Sequence, residues 1–203
     1  AYAAGVDFAH DSDDRIWLFT ASASATYVTG DSLAILATQR SSRRYFHRPD
    51  AAHVELDSSA QSLSGYYLMG YVGKQAGNFT TRNGVGFISP GLEANDLGFH
   101  NNADRILRDT HYQRSEREPG RGLRSGSVGG SPDAVWNFAG NRTFANFNGI
   151  INLELLNYWR GSARLQWDPY TEDDRLTRGG PIARGPRRFD ARVNVNSDGR
   201  RAM

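Results

Sequence analysis

Period-two alternation of apolar and polar side chains is the dominant pattern along this chain, in segments bounded by Gly, Asn, Asp and Pro. Between 16 and 29, Trp17, Phe19, Ala21, Ala23, Ala25 and Tyr27 share one side, opposed to Thr20, Ser22, Ser24 and Thr26. Successive strand side chains point to opposite faces, so this reads as a strand with one apolar and one hydroxyl-lined face. From 144 to 156, Ala145, Phe147, Gly149, Ile151, Leu153 and Leu155 oppose Asn146, Asn148, Asn152 and Glu154, with Ile150 out of phase. Trp159, Gly161, Ala163, Leu165 and Trp167 then alternate with Arg160, Ser162, Arg164, Gln166 and Asp168, and Phe189, Ala191, Val193 and Val195 with Asp190, Arg192, Asn194 and Asn196. Weaker strands are expected at 2–9, 63–73, 79–89, 106–117 and 123–130. Helical periodicity is scarce. The fold class is therefore all-β, an antiparallel meander of about nine strands.

The connections sharpen that reading. Turn-forming residues fit short links at 10–14, 74–78, 118–122 and 157–158, and longer links fall at 30–62, 90–105, 131–142 and 169–186. Short and long links alternate strictly. A meander with short turns at one end and long loops at the other is the habit of outer-membrane barrels. Trp17 to Tyr27 spans about 33 Å along a strand, or roughly 23 Å of membrane height at a ~45° tilt, which suits an apolar band between aromatic girdles. Trp17, Tyr27, Trp159 and Trp167 are thus the candidate lipid-facing girdle. Glu154, Arg160, Arg164, Asp190 and Arg192 on the opposite face are the candidate lumen-lining set, as an ion-pair ladder or as a charged constriction selecting solutes. If the short turns are periplasmic, the first strand descends from outside, and an odd strand count cannot close with every neighbour antiparallel. Residues 1–203 are therefore expected to be a single segment of a transmembrane β-barrel that needs further strands, or a partner chain, for closure.

Composition removes other classes. The 203 residues carry 24 Lys plus Arg against 22 Asp plus Glu, a net charge of +2 with no basic cluster, so nucleic acid is not an expected partner. With no Cys there is no disulfide framework, thiolate nucleophile or thiol metal site. No apolar run is long enough for a transmembrane helix, a test that barrels escape. The chain opens without a basic stretch and apolar core, so any signal peptide is absent or removed.

Four loop runs look familiar: RSSRRYFHRPDAAHVELD (40–57), LEANDLGFHNNADR (92–105), VWNFAG (135–140) and DDRLTRGGP (173–181). Together they resemble an uncharacterised bacterial family of outer-membrane β-barrel proteins, often found C-terminal to a family-9 carbohydrate-binding module. The resemblance covers nearly the whole chain and implies a barrel in a bacterial outer membrane, with no established reaction. The family's upstream barrel portion and sugar-binding module have no counterpart here, so sugar binding is not carried over.

Candidate chemistry is thin. His47, Asp50, His53, Glu55 and Asp57 share one loop, but a His-to-His gap of six matches no established zinc spacing. The alternative is that Arg40, Arg43, Arg44 and Arg48 pair with those acids and fold the loop over the barrel mouth, with Tyr45 and Phe46 beneath. Asp11 to Asp14 hint at a calcium loop, yet Ile16 and Ser22 stand where an EF-hand places Gly and Glu. Glu172, Asp173 and Asp174 beside Arg175 and Arg178 suggest a paired-carboxylate hydrolase or, more simply, a salt-bridged cap. The candidate loop contacts are Tyr45, Phe46, His47, His53, Asp173 and Arg175. No cofactor or metal is expected, and the balance is against an enzyme. The expected partners are outer-membrane lipid and, through lumen or loops, carbohydrate or small solutes. The alternative is a soluble, exported β-sandwich or adhesin-like module that binds glycans through Tyr45, Phe46, Trp136 and Tyr170.

Overall fold

In a computed structural model, which describes residues 1–94 and 101–198, the chain forms one nine-stranded antiparallel sheet with little helix. Its strands are β1 (Tyr2–Asp11), β2 (Trp17–Thr29), β3 (Ser62–Lys74), β4 (Phe79–Ile88), β5 (Arg105–Glu116), β6 (Leu123–Trp136), β7 (Arg142–Leu155) and β8 (Arg160–Asp168), then β11 (Arg188–Asn196). Each lies beside its sequence neighbour, in the order β1-β2-β3-β4-β5-β6-β7-β8-β11, and β1 and β11 are the two open edges. The sheet is not closed. A two-residue ribbon, β9 (Glu172–Asp173) against β10 (Ala183–Arg184), decorates the last connection.

Register joins the nine strands into two faces, one mainly apolar and one mainly polar, the apolar one broken by Asn83 on β4 and by Arg108, Thr110 and Arg114 on β5. Ala21 stands opposite Phe8 and Gly70, Leu68 opposite Phe87, Val128 opposite Ile151, and Ala163 opposite both Ile151 and Val193. A one-residue slip in any pair would put an apolar row among hydroxyls, so the sequence pattern itself fixes these pairings. Among the described residues no second layer covers the apolar face. Ala21 is exposed, as are Ile151 at 43% and Val193 at 74%.

Eight strands fall within two residues of their expected limits; β6 does not. It continues through Ser131, Pro132 and Asp133 to Trp136, so the third long link shrinks to a five-residue turn, 137–141, and the strict alternation of link lengths is broken. Pro132 has no N–H to give. The β6–β7 ladder runs on through Pro132↔Phe147, whereas the β5–β6 ladder stops between Arg108↔Ala134 and Tyr112↔Gly130. Within that gap the Asp133 carboxylate accepts the Thr110 N–H at 3.0 Å. A side chain thus replaces the missing backbone partner, and Thr110 is 2% exposed.

A helix, α1 (Ser32–Arg40), was not expected in the β2–β3 connection. Asp31 caps it by accepting the Ala34 N–H at 2.8 Å, and Ile35 and Gln39, one turn apart, are its buried residues. Gln39 then clamps the returning loop, with Nε2 donating to the Asp57 carbonyl at 3.0 Å and Oε1 accepting the Asp57 N–H at 2.9 Å. One expectation falls partly outside the described residues: the run 92–105, at residues 95–100.

Candidate functional site

Strand register places the whole proposed lining set on one side. Glu154 pairs with Arg160, Arg164 with Arg192, and Asp190 stands two residues before Arg192 on the same face. The contacts are a partial ion-pair ladder: Arg160 and Arg124 each lie 3.7 Å from the Glu154 carboxylate, and Arg192 Nε lies 3.0 Å from Asp190. Around Glu154 and Arg160 the polar face hollows into a recess of about 530 Å³, lined also by Gln113, Ser127, Asn152 and Ser162. Farther across this face Arg82 grips Asp109 at 2.9 and 3.0 Å and stacks 4.7 Å over the Tyr71 ring.

The aromatic set lies on the other side. Trp17, Tyr27 and Trp167 are exposed on the apolar face, and Phe147 stacks on Trp167 with ring centroids 5.2 Å apart. Trp159 is exposed too, but it precedes β8 in the turn instead of opening the strand.

At the end where β2, β4, β6 and β8 finish, the connections interlock over the sheet. Arg105, at the start of β5, meets Asp174 in the β8–β11 connection with both guanidinium nitrogens at 2.8 Å. Arg48, from the β2–β3 connection, reaches the same residue, lying 3.6 Å from the carboxylate and donating to its carbonyl at 3.3 Å. Arg175 donates to the carbonyls of Ser42 and of Ala103, the latter at 3.0 Å. Arg44 pairs with Glu93 at 2.8 Å and donates to the Leu92 carbonyl. Arg44 and Arg48 therefore find their acids in other loops, not among Asp50, Glu55 and Asp57 as the sequence suggested.

Burial governs the electrostatics of this cap. It pushes the Asp174 carboxyl up, but the hydrogen bonds and charge of Arg105, with Arg175 and Arg48 alongside, bring it below the ordinary value. Burial, reinforced by the like charge of Arg105, pulls the Arg175 guanidinium down to about 10. Arg44 is likewise lowered by burial, against the pull of Glu93.

The candidate loop contacts scatter. Phe46 is buried, whereas His47 is exposed, edge-on to Tyr45 with ring centroids 5.8 Å apart. Tyr45 adopts a positive φ of 49°. His53 turns away to Asp104 at 2.8 Å, and Asp104 also accepts the Phe138 N–H at 2.9 Å. Asp173 caps its own turn, accepting the N–H groups of Arg175 and Leu176 at 2.8 and 2.9 Å. Among the described residues no three His, Asp or Glu side chains gather in a metal-like group. Asp14 is likewise committed, accepting from the Ser12 hydroxyl and the Ile16 N–H at 2.5 and 2.9 Å. Of the glycan-contact aromatics, Trp136 lies within β6, and the Tyr170 ring is covered by Arg184 and Arg187 at 4.9 and 5.6 Å.

Sequence reasoning missed Asp104, Arg105 and Asn137 as parts of the cap. No local pattern marks them, although Asp104 stands at a positive φ of 63° and Asn137 is fully buried. No protein-family model, curated protein or solved structure matches this chain.

Proposed function

We propose that this chain forms part of the wall of an outer-membrane β-barrel, its apolar face against lipid hydrocarbon and its polar face lining a water-filled lumen. The interlocked connections cover one mouth, and the wall serves solute passage or binding at the surface. The observation that carries this reading is the register-matched apolar face, which runs across the sheet, broken on β5 by Arg108 and Arg114, and among the described residues is uncovered on a scale that monomeric soluble proteins avoid. The polar opposite face, the aromatic residues toward the ends of β2 and β8 and the four familiar loop runs support it. A soluble β-sandwich requires a second sheet against the apolar side. Among the described residues the other sheet is the β9–β10 ribbon, far too small for that role.

The chain has no Cys, so single cysteines report cleanly. With the protein in cell envelopes, Ala21→Cys and Val193→Cys are expected to react with a bilayer-soluble maleimide and resist a charged one, and Ser22→Cys and Ser162→Cys the reverse. Extraction as a folded monomer into detergent-free buffer would overturn the proposal.

A further inference from the structure

Arg164 occupies an unusual position on the polar face. Its cross-strand neighbours are Ile150 on β7 and Arg192 on β11, and its same-face neighbours along β8 are Ser162 and Gln166. The diagonal positions hold Asn148, Asn152, Asn194 and Asp190, and Asp190 is already engaged by Arg192. Among the described residues Arg164 makes no ion pair. Two like charges directly opposite in an antiparallel pair destabilise it, so this arrangement calls for a counter-charge from outside the sheet.

The neighbouring row supplies neutral polar groups. Asn152, Ser162 and Asn194 stand side by side on β7, β8 and β11, and with Arg164 and Arg192 they line a recess of about 330 Å³. We infer that the Arg164–Arg192 pair, with Asn152, Ser162 and Asn194 beside it, is a binding site for a small oxyanion, the phosphate or carboxylate group of a solute. Guanidinium groups bind such oxyanions with charge-assisted hydrogen bonds, and the amides and hydroxyl supply the remaining donors. This deepens the barrel-wall reading, on which it rests for a lumen that brings the solute to this face, and it narrows the solutes to anions.

The test is a titration of the folded chain with inorganic phosphate, at constant ionic strength held with sodium chloride, followed by arginine Nε–H NMR and by the thermal midpoint. The protein is taken in detergent, or in plain buffer should it dissolve there; its solubility judges the barrel reading and the titration judges the site. Saturable shifts at Arg164 and Arg192 and a phosphate-dependent rise in midpoint are expected. Arg164→Gln should weaken binding roughly tenfold or more while leaving the phosphate-free midpoint equal or higher, since a repulsion has gone. Arg188→Gln, outside the two rows, should bind as the wild type does. Phosphate effects that do not saturate, that persist in Arg164→Gln, or that vanish equally in Arg188→Gln would overturn the assignment.

Discussion

Arg105 and Asp174, 69 residues apart in sequence, meet as a two-pronged ion pair in which each guanidinium Nη lies 2.8 Å from a different carboxylate oxygen. Both side chains are more than nine-tenths buried, so the pair ties the β8–β11 connection to the first residue of β5 in a site from which water is nearly excluded. Removing one partner leaves an uncompensated charge there, at a cost of about 3–5 kcal/mol. Asp174→Ala is therefore expected to free the connections at residues 30–61 and 169–187 for proteolysis while the nine strands stay protected. Arg105→Lys should fail to rescue, because an ammonium cannot make both bonds. Mass spectrometry of the cleavage sites checks this; an unchanged digestion pattern would show that the pair is not what holds the cap.

The same carboxylate sets the pH response. Asp174 is held below its unfolded value of 3.8, so its contribution is fully present above that value and is lost as pH falls through the lower, folded value. Cap protection in the proteolysis assay is expected to be flat from pH 8 down to about 5 and to decline only below about pH 4, with an acid-stable protease carrying the low end. Loss of protection already at pH 6 would show that Asp174 is not the controlling group.

Close approach of backbone to backbone makes Gly65 a second sensitive point. A Cβ there would run into the backbone of Gly91 and Leu92, in the segment that also docks through the Glu93 N–H on the Thr26 hydroxyl at 3.1 Å. Gly65→Ala should push this segment off the polar face and destabilise by ~1–3 kcal/mol, the usual range for overpacking. Gly149→Ala, where an added Cβ meets nothing within 4 Å, is the matched control. Thermal unfolding of the two variants side by side separates steric collision from the general effect of replacing a strand glycine.

Asp133 gives a third test, because it stands in for a backbone group. Asp133→Ala leaves the buried Thr110 N–H without its partner, a loss of about 1–3 kcal/mol, and Asp133→Asn keeps an acceptor oxygen and should recover much of it. Amide hydrogen exchange at Thr110 reads this directly: fast in the Ala variant, slow in the wild type and the Asn variant.

Asp133 also shows why β6 was only partly legible. Ser131, Pro132 and Asp133 carry turn chemistry, and nothing local says that the missing Pro N–H faces β5 while the β7 ladder continues. β2 and β8 were legible because their own residues alternate apolar with polar nearly throughout, so the pattern by itself settles which face each residue joins. α1 was missed for the opposite reason. Its nine residues bury little, and the one local signal was the Asp31 cap. Glu154, Arg160, Arg164, Asp190 and Arg192 were grouped by alternation alone, and register puts all five on one side. The cap could not be read this way: Arg48 and Asp174 are 126 residues apart, and which loops meet depends on how the sheet curls.

The membrane reading itself stakes a sign on two adjacent residues of β2. Ala21 sits mid-strand on the apolar face and Ser22 on the polar one, with nearly the same distance to either end of the strand. A uniform aqueous surround would make an arginine at either position a mild surface change. Against hydrocarbon the two must differ, since an arginine on the lipid face near the bilayer midplane costs roughly 2–4 kcal/mol whereas one on the lumen face stays hydrated. Ala21→Arg is thus expected to lower the yield of folded, detergent-extractable protein in the envelope by an order of magnitude or more, and Ser22→Arg to leave it near the wild-type level. Equal yields for the two variants would remove lipid from the apolar side and, with it, the barrel.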